Sequence, residues 1–198
     1  MASISLREQH ALATRERILG AVADLLEQGA PQDLTMPEVA EASGVSLRTI
    51  YRYFPTREDL LEAAGRWIGD ELLKHLYPRD LDEVADRYQE GVADFDERPG
   101  LVRALAFSQL GRRVRGYRRR ERLEAIGQAL RAELPNLSEQ ELREAEGVLA
   151  YLHNMLAYTT LRDEGGLSGE EIAEAIGWAI RTLIQDLRKR NRNSRRSK

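Results

Sequence analysis

Arg48 and Arg52 stand four residues apart in the run SLRTIYRYF, with Thr49 beside the first and Tyr51 beside the second. At about 100° per residue, both guanidinium groups fall on one side of a helix, opposite Ile50 and Phe54. Ser46 and Leu47 lie near the edges of the apolar side. Arginine is the commonest partner for bidentate contact with guanine, and hydroxyls and phenols commonly hold phosphates. From Ser43 to Arg57 there are three Arg and no acid, a local positive stripe in a segment that is not otherwise basic. The chemistry on offer is recognition of an anionic, base-bearing polymer.

Those side chains need a helix presented by a rigid support, and the surrounding residues supply one. The stretch LTMPEVAEASGVSLRTIYRYFPTREDLL reads as two short helices joined by a tight turn, with a third helix following at once. Ala40 is small where two helices must cross, Gly44 suits a left-handed turn position, and Ile50 anchors the second helix. Thr35 and Glu38 form a capping box stapled by Leu34 and Val39. Ser46 caps the next helix, and Thr56 with Asp59 the third. Such a helix-turn-helix places one exposed helix in the major groove of DNA. Upstream, Thr14 to Gln28 is amphipathic, with Ile18, Ala21, Val22, Leu25 and Leu26 on one side and Gly29 as its stop. It completes a three-helix head. Met1 to Ala13 is polar and mixed, and is expected to fray as an arm.

The chain has 198 residues, 42% of them hydrophobic and 32% charged, which suits amphipathic helices around a proper core. The net charge of -3 conceals an asymmetry: the last eleven residues hold seven Lys/Arg and no acid, leaving residues 1–187 with 23 basic against 33 acidic side chains. Whole-chain charge therefore argues neither for nor against DNA, and the local distribution decides. The absence of cysteine excludes disulfides and thiolate sites. No apolar run approaches a membrane span, and the first residues lack the apolar core of a secretion signal, so cytoplasmic residence is expected. His10, His75 and His153 sit in unlike contexts and form no metal motif. No phosphate loop, nucleophile elbow or catalytic carboxylate pair is present, so neither a metal, a cofactor nor an enzymatic role is expected.

The periodicity predicts an all-α chain of about nine helices. Arg57 to about His75 leaves the head. Leu81 to Asp96 follows, then Leu101 to Leu110, then a helix beginning near Gly111 or Gly116 and closed by Pro135-Asn136. Ser138 opens a long helix to about Asp163, and Ser168 opens the last, to about Lys189. Gly147, Met155, Ile176, Trp178, Ile180, Leu183, Ile184 and Leu187 on those last two helices form an apolar face wider than one contact needs. Two such helices from each of two subunits fit a two-fold four-helix interface, though both faces closing a monomeric core is the plainer alternative. Trp67, Tyr88, Phe107, Tyr151, His153, Asn154 and Tyr158 are the aromatic and polar candidates for lining a small-molecule cavity, or else ordinary core. The arginines at 112, 113, 115, 118, 119, 120 and 122 allow three readings: a solvated surface, an electrostatic contact with the acidic first helix, or an attractor for anions.

The segment SGVSLRTIYRYFPTREDLLEAA resembles the signature of the TetR (tetracycline-repressor) family of bacterial transcription regulators, and the close likeness spans about Thr14 to Ala64. The resemblance implies a helix-turn-helix DNA-binding domain over residues 1–60 and a ligand-binding and dimerisation domain over 61–188. Residues 189–198 are then a basic tail, expected to be disordered. It implies a homodimer on a palindromic double-stranded operator, released or retained by a small-molecule effector of unknown identity, most simply as a repressor. Arg48 and Thr49 are then the candidates for base edges, with Leu47 for a thymine methyl. Thr35, Ser46, Tyr51, Arg52, Tyr53 and Arg57 are the candidates for phosphates. The alternative is a helical small-molecule-binding or scaffold protein whose head is vestigial.

Overall fold

A computed structural model describes residues 5–29, 34–72 and 77–196. The described residues form ten α-helices and no strand: α1 Leu6–Glu27, α2 Met36–Ser43, α3 Leu47–Tyr53, α4 Arg57–Leu72, α5 Glu83–Glu97, α6 Pro99–Phe107, α7 Gln109–Glu133, α8 Glu139–Leu152, α9 Met155–Asp163 and α10 Gly169–Arg196. The all-α reading stands, with one helix more than the periodicity suggests. Two compact units result, one of residues 1–69 and 100–117, the other of 70–99 and 118–198. The unit holding the head thus extends past residue 60 and takes in α6.

In the first unit, Ile18, Leu19, Val22, Leu34, Val39, Ile50, Leu60, Leu61 and Ala64 are buried. α1 starts earlier than its apolar spacing suggests. The segment expected to fray is helical from Leu6, because Ser5 and Glu8 close a capping box: the Glu8 backbone N–H donates to Ser5 Oγ at 3.3 Å, and Ser5 N–H donates to Glu8 Oε2 at 2.8 Å. α6 and α7 meet at Ser108, not at either glycine. Ser108 Oγ donates to Ala104 O at 2.6 Å and accepts from Gly111 N–H at 2.8 Å, which makes the joint a serine cap. Gly111 serves another purpose there, since a Cβ on it would lie 2.1 Å from Ala104 O. Glycine lets the two helices turn back on each other without a clash.

In the second unit α10 packs mainly along α5, and against α8 and α9. Its core holds Tyr88, Val92, Phe95, Ile126, Leu130, Leu149, Tyr158, Ile172 and Ile180. The long helix expected from Ser138 to Asp163 breaks at His153-Asn154. Asn154 is extended (φ −147, ψ 150) and its Oδ1 accepts the Leu156 N–H at 3.2 Å, starting α9 as a fresh helix. An asparagine in mid-run competes for the backbone in this way, and spacing of apolar residues cannot reveal it. α10 continues to Arg196 through residues expected to be disordered. Local ties explain the extension: Arg188 reaches Asp82 and Glu133 at 2.7 Å each, Asn191 Oδ1 accepts Asn136 N–H at 2.8 Å, and Arg190 pairs with Asp186 at 2.7 Å. Residue 75, where α4 was expected to end, lies outside the described residues.

Candidate nucleic-acid interface

α2 and α3 are joined as the residue types require. Thr35 Oγ1 accepts the Glu38 N–H at 3.4 Å, and Thr35 N–H donates to Glu38 Oε2 at 2.7 Å. Pro37 occupies the first turn, where its missing N–H is not needed. Gly44 takes φ 65, ψ 27, and its N–H donates back to Ala40 O and Glu41 O, ending α2. Ser46 then caps α3, accepting Thr49 N–H at 3.2 Å. Thr56 and Asp59 cap α4 with bonds of 3.0 and 3.1 Å.

The consequence for α3 is a helix pinned by one side and open on the other. Ile50 is fully buried and Phe54 nearly so, while Leu47 is 38% and Tyr51 48% exposed. Arg48 and Arg52 are exposed, and Thr49 and Tyr53 are half-buried. The Arg52 guanidinium lies over the Tyr53 ring, 5.2 Å from its centre, an arrangement that orients the cation without removing it from solvent. Arg15 of α1 stacks on the Phe54 ring at 5.5 Å, which ties the first helix to the end of α3. α3 has no acid in its first turn, whereas Glu8, Glu38 and Asp59 stand in the first turns of α1, α2 and α4. Negative charge is thus absent from the first turn of α3, where it would sit beside the exposed cations.

Two phosphate candidates are already engaged within the chain. Thr35 is exposed, but its hydroxyl donates to Glu38 Oε2 at 2.8 Å. The Thr35 N–H and that same hydroxyl hold the Glu38 carboxyl below the usual range. Arg57 is half-buried and its Nε donates to Leu34 O at 2.6 Å, which ties the start of α4 to the chain before α2. Ser46 and Thr49 share a hydroxyl contact of 2.9 Å.

Of the cavity candidates, Tyr88, Tyr151, His153, Asn154 and Tyr158 belong to the second unit, and Trp67 and Phe107 to the first. Tyr88 and His153 are fully buried with ring centres 5.8 Å apart, and Tyr158 packs edge-on against Phe95 at 5.3 Å. Tyr158 Oη donates to Asp96 at 2.6 Å, so its hydroxyl is accounted for. Its own titration is raised by burial, with Asp96 adding to the effect. Asn154 is a helix cap, Phe107 and Tyr151 are about half exposed, and Trp67 lies against Gly20 of α1 in the other unit. His153 is pushed down to about 3, first by burial and then by the Arg122 charge. Among the described residues, the Tyr88 hydroxyl has no hydrogen-bond partner.

The interface candidates divide in the same way. Met155, Ile176, Ile180, Ile184 and Leu187 are buried within one chain, while Trp178 is 68% exposed and Gly147 and half-buried Leu183 border open space. Val148 (48%) and Tyr151 (56%) join Trp178 as exposed apolar groups on the same helices. A groove of about 190 Å³ between α8 and α10 is lined by Val148, Leu149, Leu183 and Leu187 with Glu141 and Arg190 at its rim.

The arginine cluster is not one surface. Arg113 pairs with Glu58 on the first turn of α4, Arg112 donates to Phe107 O at 2.8 Å, Arg120 pairs with Glu124 at 2.7 Å, and Arg122 is buried. The side chains of residues 118 and 119 lie outside the description. Two acidic partners of the cluster are thus Glu58 on α4 and Glu124 on α7 itself.

Residues 18–64 match the family described as bacterial regulatory proteins, tetR family. Over 189 residues the chain is 31% identical to the nucleoid occlusion factor SlmA of Enterobacter sp. (strain 638), covering 89% of this chain and 86% of that protein. It is 32% identical over 142 residues to the SlmA of Vibrio atlanticus (strain LGP32), covering 67% and 70%. Among solved structures, the fold resembles a transcriptional regulator from Rhodococcus sp. Rha1 with a TM-score of 0.61 and 21% identity, over 87% of this chain and 96% of that one. It also resembles NalD, the secondary repressor of the MexAB-OprM multidrug efflux pump in Pseudomonas aeruginosa, with a TM-score of 0.62 and 16% identity, over 88% and 96%.

Proposed function

Since this chain belongs to the tetR family of bacterial regulatory proteins and is a DNA-binding regulator, we propose that it acts as a ligand-responsive repressor, bound as a homodimer to a palindromic operator. The observation that carries the reading is α3 itself: Ile50 is buried, while Leu47, Arg48, Tyr51 and Arg52 remain exposed. Arg48 and Thr49 meet base edges, Leu47 meets a thymine methyl, and Ser46, Tyr51, Arg52 and Tyr53 hold phosphates. Thr35 and Arg57 support the same surface from within. With Arg48 and Arg52 both exposed, a vestigial head has no observation in its favour.

Pairing of two protomers brings Gly147, Val148, Tyr151, Trp178 and Leu183 out of water, and the two α3 helices then fall about 34–36 Å apart, one DNA turn, or a multiple of it. The effector enters the body, where Tyr88 and His153 lie. No residue is assigned a catalytic role, and the protein works where bacterial DNA is, in the cytoplasm; no helix among the described residues is long and apolar enough to cross a membrane. Selection of bound fragments from genomic DNA tests the reading. Recovery of a two-fold sequence whose retention falls steeply with salt and is lost in Arg48→Ala supports it, and sequence-indifferent recovery overturns it.

Whole-chain similarity to proteins named nucleoid occlusion factor supports a second reading, in which this chain serves as such a factor. Mapping its sites on a chromosome separates the two. A few sites beside promoters favour the repressor, and many sites away from promoters favour the second role.

A further inference from the structure

Beyond Leu187 the sequence has no apolar residue and beyond Asp186 no acid, yet α10 runs on to Arg196. At about 100° per residue, Lys189, Arg192 and Arg195 fall within an arc of about 120° that also holds Arg188. Arg190 falls on the opposite side and is paired with Asp186 at 2.7 Å. The cations are therefore sorted: Arg188 is engaged by Asp82 and Glu133 and anchors the helix, Arg190 is balanced locally, and Lys189, Arg192 and Arg195 line one face. Lys189, Arg192 and Arg195 are exposed. The root of this face is fixed by Asn191, which accepts Asn136 N–H at 2.8 Å, so the charges are held on a rigid element.

Favourable interaction with the negative end of a helix dipole is confined to the last turn. Lys189 and Arg192 stand earlier than that, in a protein whose other 187 residues carry ten more acidic than basic groups. A helix that lies on lipid needs an apolar face to insert, and this one has none. Two of these three aligned cations are arginines, whose planar forks match phosphate oxygens bidentately. From Lys189 to Arg196 the helix rises about 10 Å, which corresponds to about three steps along one DNA strand.

We infer that the basic face of α10 formed by Lys189, Arg192 and Arg195 is a second, sequence-independent contact with the phosphate backbone of duplex DNA, separate from α3. Duplex DNA is the partner because this chain is already held on it by another element, which raises the local concentration of phosphates around any further cation. The contact goes beyond operator reading: it adds affinity for any duplex and no choice of sequence.

The test compares the full-length protein with the triple variant Lys189→Gln, Arg192→Gln, Arg195→Gln, leaving Arg188, Arg190 and Asn191 in place. Binding to a duplex without an operator is measured across a salt series. Each phosphate neutralised contributes about 0.9 to the slope of log K against log salt, so the variant should flatten the slope by up to about 2.7. It should also weaken non-operator binding roughly tenfold at low salt. The ratio of operator to non-operator affinity should rise or hold, whereas Arg48→Ala should lower that ratio. Variants with lysine in place of Arg192 and Arg195 should keep the slope. An unchanged slope with operator binding intact overturns this inference alone, and failure of the wild-type protein to bind any duplex overturns it together with the repressor reading. Loss in the triple variant of binding to vesicles of phosphatidylglycerol, or to single-stranded RNA, with no change on duplex DNA, also overturns it.

Discussion

The head and the core of the body treat polar groups in opposite ways. In the head, hydroxyls and carboxylates cap helix ends at the surface, and the arginines of α3 face solvent. In the body, Tyr88 and His153 are fully buried, and among the described residues the Tyr88 hydroxyl has no hydrogen-bond partner. A cap acts within four residues of its own position, whereas a buried polar group is defined by whatever packs on it from elsewhere. The first arrangement favours a fixed surface, and the second leaves groups that gain from a polar visitor.

Breaking the head from inside should have the largest effect. Ile50→Ala empties a fully buried site, and a loss of about 2–5 kcal/mol is expected, with DNA binding falling in step. Chemical denaturation monitored by circular dichroism reads the stability directly. Next comes Arg48→Ala, which should leave stability unchanged and cost roughly 1–3 kcal/mol in discrimination between base pairs, read by competition between operator variants. Arg57→Ala should lower head stability as well as affinity, since its Nε bonds Leu34 O at 2.6 Å. Thr35→Ala removes a cap, for about 1 kcal/mol.

In the body, the same kind of change should go the other way. Tyr88→Phe removes a hydroxyl without a partner and should leave the melting temperature unchanged or slightly raised, while Tyr158→Phe removes a bond to Asp96 and should lower it. Acid should act through His153. Its folded value of about 3 lies below the unfolded value near 6.5, so the unfolded chain binds the proton first. Stability from this group is complete above pH 6.5 and declines as pH falls toward 3, by at most about 1.4 kcal/mol per unit. His153→Phe should flatten that part of the stability profile. A profile identical to that of the wild type would mean that the two regions handle polar groups alike.

The same contrast explains what could be read from residues alone. Thr35, Glu38, Gly44, Ser46 and Asp59 announce the head because each acts on its near neighbours, and all five do what their types suggest. Asn154 was equally local, but it stands in a run of apolar spacing long enough to mask a new helix start. The joint at Ser108 was hidden by Gly111, which looked like a breaker and instead accommodates a close backbone. Which apolar side chains of α8 and α10 face inward is a tertiary matter: Ile180 and Trp178 are two residues apart, one wholly buried and the other mostly exposed. Arg57 shows the limit for the candidate site, since its type suggests a phosphate and its position gives it Leu34.

Among the described residues, four helix starts use one device, a serine or threonine followed three residues later by a glutamate that bonds back: Ser5 with Glu8, Thr35 with Glu38, Ser138 with Glu141 and Ser168 with Glu171. Each such clasp fixes where its helix begins without reference to anything beyond it. A change on the outward face of such a helix therefore leaves its starting point, and with it the phase of the inward residues just behind the clasp, where the clasp set them.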